Sequence, residues 1–236
     1  MVQEPNTRYI VREIIAEAPG VSTLQLSLSN GSVPKHTPGQ FITVYARELG
    51  TPEGKAYSIS SAPHEKTLDI TVKEMGKFSH YLCSRKIGEE VEGSLPYGYF
   101  FSESRMSTLA LICGGIGIAP FRSMLQASAH DTPRRSMALF CSNRTAQDII
   151  FKKTLDGLGE NNKNIKVFHF LTREKAGPPV INGRINAKAI LESLDNVQPV
   201  EFLLCGSISF VRDLWRDLRA NGVPEESIYT EAFFSH

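Results

Sequence analysis

Leu109-Ala110-Leu111-Ile112-Cys113-Gly114-Gly115-Ile116-Gly117-Ile118-Ala119-Pro120 is the stretch on which the reading of this chain turns. Its apolar start is a buried parallel strand by pattern. Phe121-Arg122-Ser123-Met124-Leu125-Gln126-Ala127 after it is a helix. Three glycines between strand and helix let the backbone turn sharply and keep side chains out of a ligand's way. Pro120 suits a first helical turn, where its missing N–H costs nothing. The free N–H groups of that turn and the helix dipole suit a phosphate, which points to a dinucleotide. The same turn also serves tight packing, and Pro120 stands where GxGxxG has its third glycine.

Outward from this stretch, the texture is βαβ. Strands at Leu109–Cys113, Ser136–Cys141, Ile165–Leu171 and Glu201–Cys205 alternate with helices at Pro120–Ala129, Gln147–Leu158, Ala187–Leu194 and Ser209–Asn221. That pattern predicts a doubly wound parallel sheet with ligands at the C-terminal strand ends. Before it, short strands with Gly and Pro turns predict an antiparallel barrel. They are Tyr9–Ile15, Ser22–Leu28 (alternating with period two), Gln40–Tyr45, Lys55–Ser61 and Leu68–Lys73, with one helix at Phe78–Ser84. The expected domains are residues 1–104 and 105–236, with the boundary at Ser102-Glu103-Ser104-Arg105.

Composition sets the outer bounds. The 236 residues are 41% apolar and 22% charged, with net charge +1. Such a balance gives no electrostatic reason to expect nucleic acid or acidic lipid as the main partner. Met1–Arg12 does not read as a signal peptide, and no apolar run is long enough to insert in a membrane. A cytoplasmic location is expected, or membrane attachment through a partner only. Cys83, Cys113, Cys141 and Cys205 form no CxxC pair, and His64, His80 and His169 have no ligand spacing, so no metal site is expected.

Two more segments carry chemistry. Lys55-Ala56-Tyr57-Ser58 puts a cation, an aromatic ring and a hydroxyl on one strand. Gly76-Lys77-Phe78-Ser79 opens a helix with a glycine turn, either as a second phosphate cradle or as a capped helix with Ser79 acting locally. Pro96-Tyr97-Gly98-Tyr99-Phe100 ends the barrel.

In this order, the segments resemble the ferredoxin–NADP reductase family of flavoproteins. Lys55–Ser58 matches its basic-x-Tyr-Ser flavin motif, Gly76–Ser79 its Gly-x-x-Ser turn and Gly114–Pro120 its Gly-Gly-x-Gly-x-x-Pro loop. Cys205-Gly206 matches its late Cys-Gly pair, and Glu231-Ala232-Phe233 its closing Glu-x-aromatic. Three positions depart from the pattern: Lys55 replaces Arg, Ser207 replaces Pro, and Phe233 stands at the closing Tyr, with Phe234 beside it.

The resemblance implies an NAD(P)H-dependent flavoprotein reductase with a flavin barrel and a pyridine-nucleotide domain. FAD is implied, with FMN as the alternative. Tyr57 packs on the isoalloxazine, Ser58 hydrogen-bonds near its N5, and Lys55 with the amides of Gly76–Ser79 neutralises phosphate. Gly115 and Gly117 let the nucleotide pyrophosphate approach. Cys205 either lines the nicotinamide pocket or is a core thiol; Glu231 is either a neighbour of the reacting ring or a solvated carboxylate. Thr172-Arg173, with Arg144, meets the adenosine ribose. An Arg without a preceding Asp leans toward NADPH over NADH. The implied partner is a separate electron acceptor: a ferredoxin, flavodoxin, oxygenase component or small molecule. A free-flavin reductase and a non-catalytic electron-transfer subunit are the alternatives.

Overall fold

A computed structural model describes residues 7–101, 108–131, 135–194 and 199–233. The expected boundary at residues 102–105 lies outside them. The chain forms two compact units: one holds the chain up to Tyr99 together with Ala119–Ala127, the other Phe100–Ile118 and the chain from Ser128 to Ser235. The helix after the glycine turn therefore begins in the first unit. Hydrogen bonds from Arg122 and Ser123 to Ser60 and Ser61 account for it.

In the first unit, six strands pair antiparallel: β1 (Thr7–Ala18), β2 (Val21–Leu28), β3 (Phe41–Ala46), β4 (Thr51–Ser58), β5 (Leu68–Lys73) and β6 (Glu90–Gly93). Their order is β4-β3-β6-β1-β2-β5. The outer strands meet through an Ile59–Ile70 bridge and a 2.8 Å bond from Ser60 N–H to the Asp69 carbonyl. This closure removes the open edges that a six-stranded sheet would expose. Tyr9, Leu24, Ile42 and Ile70 are fully buried inside. Helix α1 (Lys77–Cys83) adds Phe78 and Leu82 to that core. Each such side chain contributes about 1.5–3 kcal/mol by leaving water.

β2 does not alternate as its sequence suggests. Thr23 and Ser27 are buried along with Leu24 and Leu26. Thr23 is satisfied sideways, its hydroxyl 2.9 Å from that of Thr71, which is itself 2.9 Å from that of Ser60. Mutual hydroxyl bonding lets a polar face be covered without orphaned groups. β6 escaped the sequence reading because Glu90-Val91-Glu92-Gly93 has one apolar residue; its partners β1 and β3 hold it in the sheet.

The second unit is built on a parallel sheet of β7 (Thr108–Gly114), β8 (Met137–Asn143), β9 (Ile165–Leu171), β10 (Ile181–Asn182), β11 (Val200–Ser207) and β12 (Ile228–Phe233). The order is β10-β9-β8-β7-β11-β12. The chain leaves β7 toward β8 on one side and later returns to β11 on the other, so the switch point falls at the glycine turn. Helices α2 (Ala119–His130), α3 (Lys152–Asn161), α4 (Ala187–Ser193) and α5 (Ile208–Ala220) complete the chain. α4 and α5 pack on Ile112, Phe140, Phe202 and Leu204.

The expected helix Gln147–Leu158 is not continuous. A 3-10 turn at Ala146–Asp148 is followed by Phe151 in the left-handed region (φ 59°), and α3 starts only at Lys152. Ile149, Ile150 and Phe151 are consecutive and all buried. One helix face cannot bury three successive residues, so the chain breaks there. β10 and β12 were likewise not anticipated. β10 is two residues long, and β12, an edge strand, has no fully buried residue to mark it.

Candidate functional site

The first unit brings the Lys55 and Gly76 segments together. β4 and β3 pair Ile42 with Tyr57 and Phe41 with Ser58, which fixes which residues share a face. Lys55 and Tyr57, two apart, project alike. Both reach Phe78 at the start of α1: the Tyr57 and Phe78 rings stack at 6.3 Å and 23°, and Lys55 Nζ lies 5.6 Å from the Phe78 centroid. Burial pushes the Tyr57 phenol above the usual tyrosine range, so it stays neutral. Ser58 is buried, while Ala56 and Lys77 are exposed.

Ser79 acts within its own turn. Its Oγ accepts from the N–H groups of Met75 (2.8 Å) and Gly76 (3.0 Å) and donates to the Gly76 carbonyl (3.0 Å). That leaves the N–H groups of Lys77 and Phe78 as first-turn donors without a partner in the helix. A Cβ at Gly76 would meet nothing within 4 Å, so the turn is open on that side. Aromatic rings, a cation and outward N–H groups together suit a flavin with its phosphates.

The other motifs begin at the end of β7. After β7, Gly114 closes the strand, Gly115–Ile118 form a 3-10 turn, and α2 begins at Ala119 with Pro120 in its first turn. Gly115 takes φ +54° and has open space around it. Gly117 differs, since a Cβ there would lie 2.2 Å from the Cys205 carbonyl oxygen and 2.9 Å from Gly206 N. Its missing side chain is used to pack the turn on β11. At Gly206 an added Cβ would lie 3.0 Å from the Phe210 ring and 3.4 Å from the Gly114 backbone.

The strand register sets a row across the sheet at this level. Glu231 pairs with Cys205, Cys205 with Cys113, Cys113 with Cys141 and Cys141 with His169. Cys205 is fully buried; burial first, and the Glu231 carboxylate second, hold its thiol well above the usual range. The Cys113 and Cys141 sulfurs are 3.3 Å apart as free thiols. His169 Nε2 pairs with Asp156 at 2.9 Å and, in the first unit, His80 Nδ1 with Glu74 at 2.7 Å. Phe233 is half-buried, paired with Ser207; Phe234 lies outside the described residues.

At the ends of β8, β9 and β11 lies a cavity of about 660 Å³. Arg144, Thr172 and Arg173 line it, with Ser207 and Phe210 from the β11–α5 junction. Arg184, which the sequence reading missed, joins them because β10 carries the chain back alongside β9. A two-residue strand gives no periodicity to read, so only the fold shows this third arginine. Asp213 and Asp217 also line the cavity. Asp213 pairs with Arg212 at 2.8 Å, and Asp217 accepts from Ala187 N–H at 2.6 Å. Among the described residues, no carboxylate pairs with Arg144, Arg173 or Arg184. Three exposed guanidinium groups around one cavity have the chemistry to hold an anion.

Comparison with known proteins places the fold among reductase modules. Residues 111–215 match the oxidoreductase NAD-binding domain model. A flavohemoprotein of Vibrio cholerae is 27% identical over 243 residues, covering 97% of this chain and 59% of that protein. A subunit of the Escherichia coli 1,2-phenylacetyl-CoA epoxidase is 27% identical over 207 residues, covering 83% and 58%. The chain thus spans less than two thirds of these relatives. The crystal structure of the flavohem-like FAD/NAD binding domain of nitric oxide dioxygenase from Vibrio cholerae superposes with a TM-score of 0.84 at 24% identity, over 98% of this chain and 99% of that one. Among the described residues, no helix is long and apolar enough to cross a membrane.

Proposed function

Because this chain is a ferredoxin–NADP reductase-like FAD/NAD-binding reductase module, we propose that it oxidises NADPH with bound FAD and hands the electrons to a separate acceptor. The observation that carries the choice of NADPH is the cavity ringed by Arg144, Arg173 and Arg184. A 2′-phosphate there meets three guanidinium groups; Asp213 and Asp217 in the same lining are engaged by Arg212 and by Ala187 N–H, and Thr172 supplies no negative charge. NADH lacks that phosphate and gains nothing from the three charges.

When bound, the flavin supplies a two-electron acceptor for hydride. Tyr57 offers its ring face to the isoalloxazine, Lys55 its charge to the phosphates, and Lys77 and Phe78 their N–H groups. Ser58 supplies a hydroxyl at the end of β4. Cys205 keeps a neutral, weakly hydrated thiol at the strand end, and Glu231 beside it a carboxylate. Residues 1–104 are proposed as the flavin-binding part and 105–236 as the nucleotide-binding part of a cytoplasmic reductase. The acceptor is proposed as an oxygenase component or a haem domain, the partners that the names of the two relatives suggest.

The test is an absorption spectrum of the purified chain before and after anaerobic NADPH or NADH. Expected are the bands of bound FAD and their bleaching at lower NADPH than NADH concentration. FMN in place of FAD corrects the cofactor. Flavin that exchanges freely in dialysis makes it a substrate, the free-flavin reductase reading. No flavin uptake and no bleaching overturn the proposal.

A further inference from the structure

We propose that Arg122 and Ser123 are positioning residues for flavin reduction, an inference that rests on the reading above. Both stand in the first turns of α2, into which the glycine turn runs directly. Their bonds go to two successive carbonyls just beyond the Lys55–Ser58 segment. Arg122 Nη1 donates to Ser60 O at 2.7 Å, and Ser123 Oγ donates to Ser61 O at 2.6 Å. All four residues belong to the same compact unit.

The contact is built rather than incidental. Arg122 is 12% exposed and grips Glu65 with both Nη atoms, at 3.1 and 3.0 Å. Glu65 is held in place by Ala62 N–H at 2.5 Å, and Asp69 Oδ2 lies 3.8 Å from the same guanidinium. Asp69 N–H in turn donates to Ser61 Oγ at 2.9 Å. Ser123 and Ser61 are fully buried. A planar, two-pronged ion pair fixes direction as well as distance, which a lysine cannot reproduce. Carbonyls, fork and hydroxyl therefore hold the start of α2 in one orientation against the strand end that follows Ser58. Hydride transfer is sensitive to such placement, since an error of about 1 Å costs on the order of 100-fold in rate.

The experiment is anaerobic stopped-flow reduction of the FAD-loaded chain at saturating NADPH, with FAD content and NADP⁺ affinity measured on the same samples. Arg122→Met is expected to lower the limiting reduction rate about 10-fold or more. FAD content and NADP⁺ affinity stay within about 2-fold of wild type, and Arg122→Lys falls between the two. Ser123→Ala, which removes one bond and no charge, shifts the rate the same way and carries the test if Arg122→Met does not fold. A limiting rate equal to wild type in Ser123→Ala and in every Arg122 variant that folds overturns the inference. So does a rate that falls only in proportion to lost FAD or lost NADP⁺ binding. A wild-type chain that NADPH does not reduce defeats the functional reading itself, which separates the two failures.

Discussion

Gly117→Ala tests the packing account of the glycine turn. The added Cβ would sit 2.2 Å from the Cys205 carbonyl oxygen and 2.6 Å from its carbon, where ordinary contact begins at 3.4 Å. Both obstacles are backbone atoms of β11, which is hydrogen-bonded on one side to β7 and on the other to β12. Neither can swing away as a side-chain tip would. Relief takes a shift of more than 1 Å in a central strand, at a cost of about 3 kcal/mol, the upper end for overpacking. In a chain of this size that lowers Tm by roughly 6–12 °C. Trp215, the only tryptophan, packs on the core of the same unit, so its fluorescence through a urea titration reports the loss. Gly115→Ala is the control: its φ of +54° strains an alanine by about 1–2 kcal/mol, but the new methyl meets nothing. A Gly117→Ala chain that unfolds at the wild-type midpoint, or one sturdier than Gly115→Ala, refutes the reasoning.

Asp69 is buried, and burial, opposed by the Thr67 hydrogen bond and the Arg122 charge, raises its carboxyl to about 6. The folded chain then holds a proton between about pH 4 and 6 that the unfolded chain releases, so stability falls as pH rises through that window, by about 3 kcal/mol. Asp69→Asn should flatten this slope in urea titrations from pH 4 to 7, and an unchanged slope assigns it to another group. Lys55→Ala should release FAD faster in dialysis; equal retention would mean that the N–H groups of α1 suffice. Arg173→Ala should raise the KM for NADPH about 10-fold while leaving that for NADH unchanged, whereas equal effects on both would remove Arg173 from cofactor choice.

Much of the fold was legible because its signals are local. Alternating strands and helices after residue 107 need only the period of apolar residues. The glycine turn announces itself through residues whose backbone freedom no other type has. What stayed hidden depends on distant partners. β6 is a strand because β1 and β3 flank it, and Phe151 breaks a helix because three neighbours all need the core. The site follows the same division. Lys55 and Tyr57 were visible, but their meeting with Phe78 depends on α1 folding back onto the barrel. Arg173 was visible, but Arg184 reaches the cavity only through a two-residue strand. For Gly117, sequence suggests room for a ligand; only the fold shows that a side chain there would also run into the Cys205 backbone.

The transverse row of thiols has a practical consequence. Cys113, Cys141 and Cys205 are sealed in the parallel sheet, and Cys83 alone is half-buried. A maleimide probe added to the folded chain would decorate Cys83 first and the other three only when the sheet breathes. The wild-type molecule thus comes with one handle for a dye and three internal stopwatches for its nucleotide half, with no engineered cysteine needed.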